Sequence, residues 1–239
     1  MPSPHNADTD RQRQPIAPAA GHMKHADVAD PVILVVDDDD DVRESLCELL
    51  ESVGLRAVGF RSARDLLESE QLHGPGCLLL DVRLPGLGGL ALQAQLAALG
   101  LAKPIIFLTG HGDIPMTAQA MKAGAVDFFT KPVRDQTLLD AVQAALTLDA
   151  KARGEALASR RTADLYDTLT PRERQVMNAV IEGSLNKTIA FDLGISEVTV
   201  KLHRASMMRK MGAKSVSHLV HAWQSLSVEI RNALHAKLG

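Results

Sequence analysis

The sequence is poor in aromatic residues and has no long apolar run, and these absences narrow the classes of protein it can belong to. Phe, Trp and Tyr make up 3% of the 239 residues, which argues against a surface that stacks the bases of single-stranded nucleic acid. No apolar stretch approaches the roughly 18–20 residues of a membrane span, and the N-terminus has no secretory signal pattern. We therefore expect a cytoplasmic protein without membrane contact.

Cysteine is also scarce, and the chain has only Cys47 and Cys77. Both lie in apolar contexts, which favours buried free thiols in a reducing cytosol. A disulfide or a metal site is the alternative.

The charge distribution indicates two domains, and the length of the chain also favours two domains. Residues 31–150 hold 9 Lys and Arg against 17 Asp and Glu, a net charge of −8, whereas residues 165–239 hold 10 against 6, a net charge of +4. The acidic part favours a metal or phosphate site and the basic part a polyanionic partner. Ordinary surface variation is the alternative explanation for so small a basic excess.

Short apolar runs alternate with helix-like stretches between residues 31 and 149. The runs predict five strands, and the stretches predict five helices. A five-fold alternation predicts an α/β domain with a doubly wound five-stranded parallel sheet. The strands are predicted at 32–36, 56–60, 77–80, 104–108 and 126–129, and the helices at about 41–53, 62–69, 87–98, 114–123 and 134–149. Residues 1–30 are polar and aperiodic, and we interpret them as a disordered extension.

Polar side chains stand where four of the predicted strands end. Asp37 and Asp38 follow the first strand, Asp81 ends the third, Thr109 follows the fourth and Lys131 follows the fifth. Because the carboxyl ends of parallel strands meet at one edge of the sheet, we expect three carboxylates, a hydroxyl and an ammonium to converge. Taken alone, Asp81 could be a loop cap and Lys131 a solvated loop residue.

A cluster of carboxylates is stable only with a cation among its members. Mg²⁺ suits the predicted cluster because it prefers oxygen ligands, and a carboxylate beside Mg²⁺ and a lysine can accept a phosphoryl group. A cis bond between Lys131 and Pro132 would turn the ammonium toward the strand ends. We interpret residues 39–41 as a solvated, helix-capping charge run.

The C-terminal part begins with a capping box, Thr170-Pro171-Arg172-Glu173. Two short helices follow, and Gly194 suits a left-handed stop between them while Ser196 caps the second. This pattern predicts a small all-α helix-turn-helix domain. The second helix, 196–211, carries five basic side chains that could face a DNA major groove: Lys201, His203, Arg204, Arg209 and Lys210. A solvated amphipathic helix in a small bundle is the alternative.

The segments around this domain are also predicted to be helical. Residues 150–166, with Arg160-Arg161 near their end, are predicted to continue the last helix of the first domain as a helical linker, or to form a flexible linker if Gly154 breaks the helix. A helix is predicted at 215–225. The tail 226–239 has an apolar helical period, and it receives no functional assignment.

Residues 32–149 resemble the receiver domain of response regulators. The similarity rests on Asp37-Asp38, Leu79-Leu80-Asp81-Val82-Arg83-Leu84-Pro85-Gly86, Thr109 and Thr130-Lys131-Pro132, and residues 109–128 are especially similar to FixJ-type regulators. The resemblance implies a flavodoxin-like receiver at 31–149 with Asp81 as phosphoacceptor. It also implies that Asp38, Asp81 and the backbone carbonyl of Arg83 bind Mg²⁺ directly, with Asp37 acting through water.

The same resemblance implies a switch made by the Thr109 hydroxyl and the Phe128 ring. A plain core role is the alternative for Phe128. His111 is interpreted as a loop residue.

Residues 169–220 resemble the LuxR/FixJ-type output domain, which implies DNA binding by residues 167–225. The motifs are Leu-Thr-Pro-Arg-Glu-Arg-Gln-Val, Asn-Lys-Thr-Ile-Ala and Thr-Val-Lys-Leu-His-Arg. The similarity places Lys201, Leu202 and Ala205 at base edges, Thr199, His203 and Arg204 near phosphate or base, and Lys187 at a phosphate. Relatives can carry a long polar residue where this chain has Ala205. In this family the helix at 215–225 can pair two DNA-bound copies.

Together the two resemblances indicate a bacterial two-component transcription regulator of the FixJ/NarL type. They imply a cognate histidine kinase, double-stranded promoter DNA and a homodimer formed on activation, with RNA polymerase as a further candidate partner. They imply no enzyme activity of its own. A Mg²⁺-dependent phosphohydrolase is one rival, but such enzymes place a carboxylate where this chain has Arg83. A protein-interaction module whose helix-turn-helix does not touch DNA is the other.

Overall fold

The computed structural model describes residues 30–110, 114–226 and 228–236. The predicted disordered extension therefore lies outside the described residues except for Asp30, and so does the loop residue His111. None of the helices in these ranges has the length and apolar character needed to cross a membrane.

Five strands form one parallel sheet in the order β2-β1-β3-β4-β5. The strands are β1 (Val32–Val36), β2 (Arg56–Phe60), β3 (Gly76–Asp81), β4 (Ile105–Thr109) and β5 (Asp127–Thr130). The predicted doubly wound sheet is confirmed, and each strand lies within one residue of its predicted position. Because β3 is central and covered on both faces, all six of its residues are buried, which explains its unbroken apolar run.

Helices cover both faces of the sheet. They are α1 (Asp40–Ser52), α2 (Ala63–Leu67), α3 (Gly89–Ala98), α4 (Ile114–Lys122) and α5 (Asp135–Asp167). The helix predicted at 62–69 is shorter than expected and is followed by a 3-10 turn at Glu70–His73. The side chain of Ser69 starts that turn by accepting a hydrogen bond from the Gln71 N–H at 3.2 Å.

Alternate residues of each strand supply two separate cores. Leu34, Leu80 and Phe107 belong to the core on one face, and Ile33 and Ile106 belong to the core on the other. Cys77 is also buried in the second core, Cys47 is half-buried, and both thiols are free.

Helix α5 is a single helix of 33 residues. It continues through Gly154, so residues 150–166 are helical and Gly154 does not break the helix. The last turn of α5 is itself packed. Tyr166 is 0% exposed, and its ring centroid lies 5.1 Å from that of Trp223. Asp149 fixes the helix to the start of β3, since its Oδ2 accepts a hydrogen bond from the Gly76 N–H at 2.8 Å.

Within the described residues five further helices follow, and they pack with the end of α5 around a third core. They are α6 (Pro171–Ile181), α7 (Asn186–Leu193), α8 (Glu197–Lys210), α9 (Val216–Gln224) and α10 (Val228–Ala236). The predicted capping box of Thr170 and Glu173 is confirmed, and Gly194 ends α7 in the left-handed conformation with φ of 64°. In the tail, Leu234 is buried in this core while Val228 is exposed.

Candidate functional site

Three carboxylates meet at the carboxyl edge of the sheet. Asp37, Asp38 and Asp81 each offer one oxygen atom, and these oxygens all lie within 4.8 Å of one another. The strand register brings them together, because Val36 is the β-sheet partner of Leu80 and each is followed by an aspartate. Asp37 and Asp81 are 1% and 9% exposed, whereas Asp38 is open to solvent.

Lys131 joins two of these carboxylates from the neighbouring loop. Its Nζ lies 2.5 Å from Oδ2 of Asp37 and 3.0 Å from Oδ2 of Asp81. Its main-chain N–H donates to the Thr109 carbonyl at 2.7 Å, and its peptide bond to Pro132 is cis. The structure therefore brings together the four charged groups that the sequence placed at this edge.

Burial and charge act against each other on the Asp37–Lys131 pair. Burial raises the pKa of Asp37 by more than the hydrogen bond and charge of Lys131 lower it. Burial would lower the pKa of Lys131, but its hydrogen bonds to Asp37 and Asp81 raise it above the ordinary value. Lys131 is therefore held in its charged form at neutral pH.

The donor set fits a hard divalent cation. Its members are carboxylate oxygens, the ligand type that Mg²⁺ prefers, and three carboxylates against one ammonium leave an excess of negative charge. The turn after β3 folds back on Asp81, whose Oδ1 accepts a hydrogen bond from the Arg83 N–H at 3.0 Å. The ligand role of the Arg83 carbonyl stays a prediction.

The rest of the acidic run has two structural roles. Asp39 caps α1 by accepting hydrogen bonds from the N–H groups of Asp41 and Val42 at 3.0 and 3.2 Å. Asp40 is not merely solvated, as the sequence suggested, because it forms ion pairs with Arg43 and Arg61. These two arginines lower the pKa of Asp40.

Arg43 is a site residue that sequence reasoning missed. It is 9% exposed, and its Nη1 donates to the main-chain carbonyl of Asp37 at 2.9 Å. Its side chain packs on Gly59 of β2, where an added Cβ would lie 2.9 Å from the Arg43 Cδ. The sequence signal that could have indicated a buried Arg43 is its position on the same helical face as Leu46 and Leu50.

Thr109 lies on β4 and Phe128 on β5, and Thr109 directly follows Leu108, the sheet partner of Asp81. Thr109 is fully buried at the end of its strand. Phe128 is half-buried, and its ring centroid lies 6.0 Å from that of Phe107 in the core. Their switch roles stay predictions.

The predicted DNA-contact residues differ in their solvent exposure. Lys187, Lys201, Leu202 and Ala205 are exposed, whereas Thr199, His203 and Arg204 are half-buried. Two of the basic side chains on α8 bind within the domain. Arg204 donates to Asn186 Oδ1 at 2.9 Å, and Lys210 Nζ lies 2.6 Å from Glu173 Oε2.

Two family models match the two parts of the chain. The response regulator receiver domain matches residues 33–143, and the bacterial regulatory proteins of the luxR family match residues 167–223.

Similar proteins cover both parts at once. Nodulation protein W of Bradyrhizobium diazoefficiens is 49% identical over 87% of this chain and 91% of its own length. Response regulator protein TodT of Pseudomonas putida is 46% identical over 87% of this chain and 92% of its own.

Among solved structures, response regulator StyR is similar with a TM-score of 0.74 and 46% identity, covering 82% of this chain and 99% of that one. Full-length FixJ from B. japonicum has a TM-score of 0.51 and 39% identity, covering 82% of this chain and 96% of that one. The chain therefore belongs to the two-component response regulators that join a receiver domain to a LuxR-type DNA-binding domain and regulate transcription.

Proposed function

We propose that Asp81 accepts a phosphoryl group from a histidine kinase and that this modification controls dimerisation and sequence-specific binding to duplex DNA. One observation carries the proposal: the Lys131 ammonium bridges Asp37 and Asp81, with a third carboxylate, Asp38, beside them. This arrangement supplies an acceptor oxygen and a fixed positive charge at the same point.

Each oxygen of Asp81 already has a partner. Oδ1 accepts from the Arg83 N–H and Oδ2 from Lys131, both at 3.0 Å. In the transfer, a carboxylate oxygen forms a bond to phosphorus as the P–N bond to the kinase histidine breaks, and the imidazole leaves with the electron pair. Lys131 then pairs with a phosphoryl oxygen in place of the lost carboxylate charge.

Asp37, Asp38, Asp81 and the Arg83 carbonyl are the groups that would hold Mg²⁺, Asp37 through water. The ion, when bound, would neutralise charge on the transferring oxygens. Asp38 is exposed while Asp37 is buried, so solvent reaches the cluster at Asp38.

Thr109 and Phe128 would carry the change to the domain surface. Thr109 follows Leu108, the sheet partner of Asp81, so its hydroxyl can turn to donate to a phosphoryl oxygen. Phe128 would then move inward against the core. Moving this equilibrium from 1:99 to 99:1 takes about 5.5 kcal/mol, and charge-assisted hydrogen bonds to a phosphoryl group are strong enough to contribute on this scale.

The output domain would bind DNA through α8. Lys201, Leu202 and Ala205 would face base edges. Thr199, His203 and Arg204 would lie near phosphates or bases, and Lys187 would contact a phosphate. A second copy would pair through α9.

Phosphorylation with acetyl phosphate and Mg²⁺ tests the proposal. We expect labelling of the wild type and of Asp65→Asn, which changes an exposed aspartate of α2, and none of Asp81→Asn. Mobility shifts with duplexes selected from a randomised pool, and light scattering, should show tighter binding and dimer formation only in the labelled proteins. Undiminished labelling of Asp81→Asn would refute the acceptor assignment.

A further inference from the structure

The middle of α5 makes few contacts. Ala145 is the last buried α5 residue of the receiver core, and Tyr166 is the first that is buried in the core of the output domain. From Ala150 to Arg161 every side chain is exposed except that of Ser159, which is half-buried. We call residues 150–161 the arm. An unsupported helix of about this length is marginal in water, so the order of the arm depends on how its ends are held.

One pair of side chains holds the receiver end of the arm. Asp149 is 3% exposed, and its Oδ2 accepts hydrogen bonds from the Gly76 N–H and from Nε of Arg153, both at 2.8 Å. Arg153 also donates to the main-chain carbonyls of His73, at 3.3 Å, and of Gly74. We call Asp149 and Arg153 the α5 latch. Its contacts with the receiver are to main-chain groups, whose positions the fold fixes.

The loop that receives the latch is tightly packed against the sheet. Gly76 has a φ of 131°, and a Cβ added there would clash with the Val32 carbonyl oxygen of β1. The Val32 N–H donates to the Pro75 carbonyl at 3.0 Å. Lys103, just before β4, donates from Nζ to the Gly74 carbonyl at 2.9 Å. The latch therefore attaches α5 to the amino edge of the sheet, opposite the edge that carries the acidic cluster.

Charge also favours the closed latch. Lys103 is 7% exposed, and burial lowers its pKa while the negative charge of Asp149 acts against that lowering. Asp149 therefore balances two cations, Lys103 and Arg153. Removing one partner from such a buried group leaves charge uncompensated, so the latch is held by electrostatic attraction as well as by hydrogen bonds.

In the proposed function, phosphorylation of the receiver brings two copies together on DNA. Pairing of the receivers strengthens DNA binding most when the segment between the domains is stiff and of fixed length, because a flexible segment lowers the effective concentration of the second output domain. We infer that the α5 latch, by keeping the arm helical, passes receiver pairing on to the output domains. This inference rests on the proposed function. With the latch open, the receivers would still pair, but their pairing would strengthen DNA binding less.

Arg153→Gln opens the latch. The Arg153 side chain is 43% exposed, so this variant removes no core residue. Arg160→Gln is the matched control, since it makes the same change at an exposed position of the same arm. In full-length Arg153→Gln, amide hydrogen exchange of residues 150–158, measured by mass spectrometry, should be about fivefold faster than in the control.

The same variants test the effect on DNA binding. With acetyl phosphate and Mg²⁺, labelling of Asp81 and dimer formation in light scattering should match the wild type, because the latch lies at the other edge of the sheet. Mobility shifts with a duplex selected by the wild type give the affinity with and without acetyl phosphate. The ratio of these affinities should fall several-fold in Arg153→Gln and stay at the wild-type value in Arg160→Gln.

A double variant tests whether the latch acts through the order of the arm. Gly154→Ala raises the helical preference of the arm without adding a contact. In Arg153→Gln with Gly154→Ala, much of the slow exchange and much of the affinity ratio should therefore return together. Recovery of slow exchange without recovery of the affinity ratio would overturn the inference.

Two further results would overturn it: exchange in Arg153→Gln that is no faster than in Arg160→Gln, and a wild-type affinity ratio despite faster exchange. If acetyl phosphate leaves DNA binding of the wild type unchanged, the proposed function fails, and the effect of the latch on DNA binding fails with it. Hydrogen exchange then still decides whether the latch orders the arm.

Discussion

Arg43 donates a hydrogen bond from Nη1 to the main-chain carbonyl of Asp37 at 2.9 Å. It also pairs with Asp40, which in turn pairs with Arg61 at the end of β2. One guanidinium therefore ties the turn that carries Asp37 and Asp38 to the first turn of α1. A planar donor group can hold two acceptors at fixed angles, which a lysine ammonium does less well.

Arg43→Lys should weaken Mg²⁺ binding because the turn that carries two carboxylates is no longer fixed. We expect phosphorylation by acetyl phosphate to need several-fold more Mg²⁺ for half-maximal rate, while the rate at saturating Mg²⁺ changes less. Arg64→Lys is the control, since Arg64 is exposed on α2 and pairs only with Glu68 among the described residues. Equal Mg²⁺ dependence in both variants would contradict a positioning role.

Gly59→Ala also tests the positioning role of Arg43, because Gly59 contacts the Arg43 side chain. The added Cβ would lie 2.9 Å from both Cγ and Cδ of Arg43, so the side chain must move. The Mg²⁺ dependence should shift as in Arg43→Lys, and the double variant should show little further change because both substitutions act on one contact.

The sequence predicted the sheet and the charged cluster because each follows from short-range signals. Apolar runs defined the strands, and the residue after each run defined the site, since parallel strands end at one edge. Arg43 was missed because a buried arginine on an apolar helical face is unusual, and its acceptor is a main-chain carbonyl that no residue type reveals. The sequence left open whether Gly154 breaks α5, because the contact of Tyr166 with Trp223 that holds the end of this helix joins residues far apart along the chain.

Gly154→Ala should stabilise α5. Gly154 lies inside the helix with nothing within 4 Å of an added Cβ, so alanine adds no clash. Replacing glycine by alanine in a helix interior contributes about 0.5–1 kcal/mol. Circular dichroism should show a higher thermal midpoint for this variant, and Gly154→Pro should lower it. An unchanged or lower midpoint for Gly154→Ala would mean that α5 is not continuous at this residue in solution.

Tyr166 tests whether the end of α5 belongs to the core of the output domain. Its ring is buried against Trp223, and within the described residues its buried hydroxyl has no hydrogen-bond partner. Tyr166→Phe should therefore leave stability unchanged or raise it, whereas Tyr166→Ala should lower it by about 3–5 kcal/mol. Urea unfolding followed by the fluorescence of Trp223, the only tryptophan, measures both. A mild loss in Tyr166→Ala would place Tyr166 outside the folded core.

The lowered pKa of Glu173 predicts that the output domain loses stability in acid. Burial alone would raise its pKa, but hydrogen bonds from Lys210, from the Thr170 N–H and from the hydroxyls of Ser206 and Thr170 outweigh burial and lower the pKa from 4.5 to about 2. The unfolded chain therefore binds a proton more readily than the folded chain does. The stabilisation is fully present above pH 4.5 and is lost as the pH falls toward 2, and the change corresponds to about 3 kcal/mol.

Glu173→Gln should remove this pH dependence. Because the substitution leaves the half-buried Lys210 without its carboxylate, stability at pH 7 should fall by about 1–3 kcal/mol, and between pH 4.5 and 2 the free energy of unfolding should vary less than in the wild type. Urea unfolding across this pH range, followed by Trp223 fluorescence, measures both effects. Glu182→Gln is the control, since Glu182 is exposed at the end of α6, and it should keep the wild-type profile. If Glu173→Gln loses stability in acid as steeply as the wild type, the ionised Glu173–Lys210 pair is not what acid disrupts in this domain.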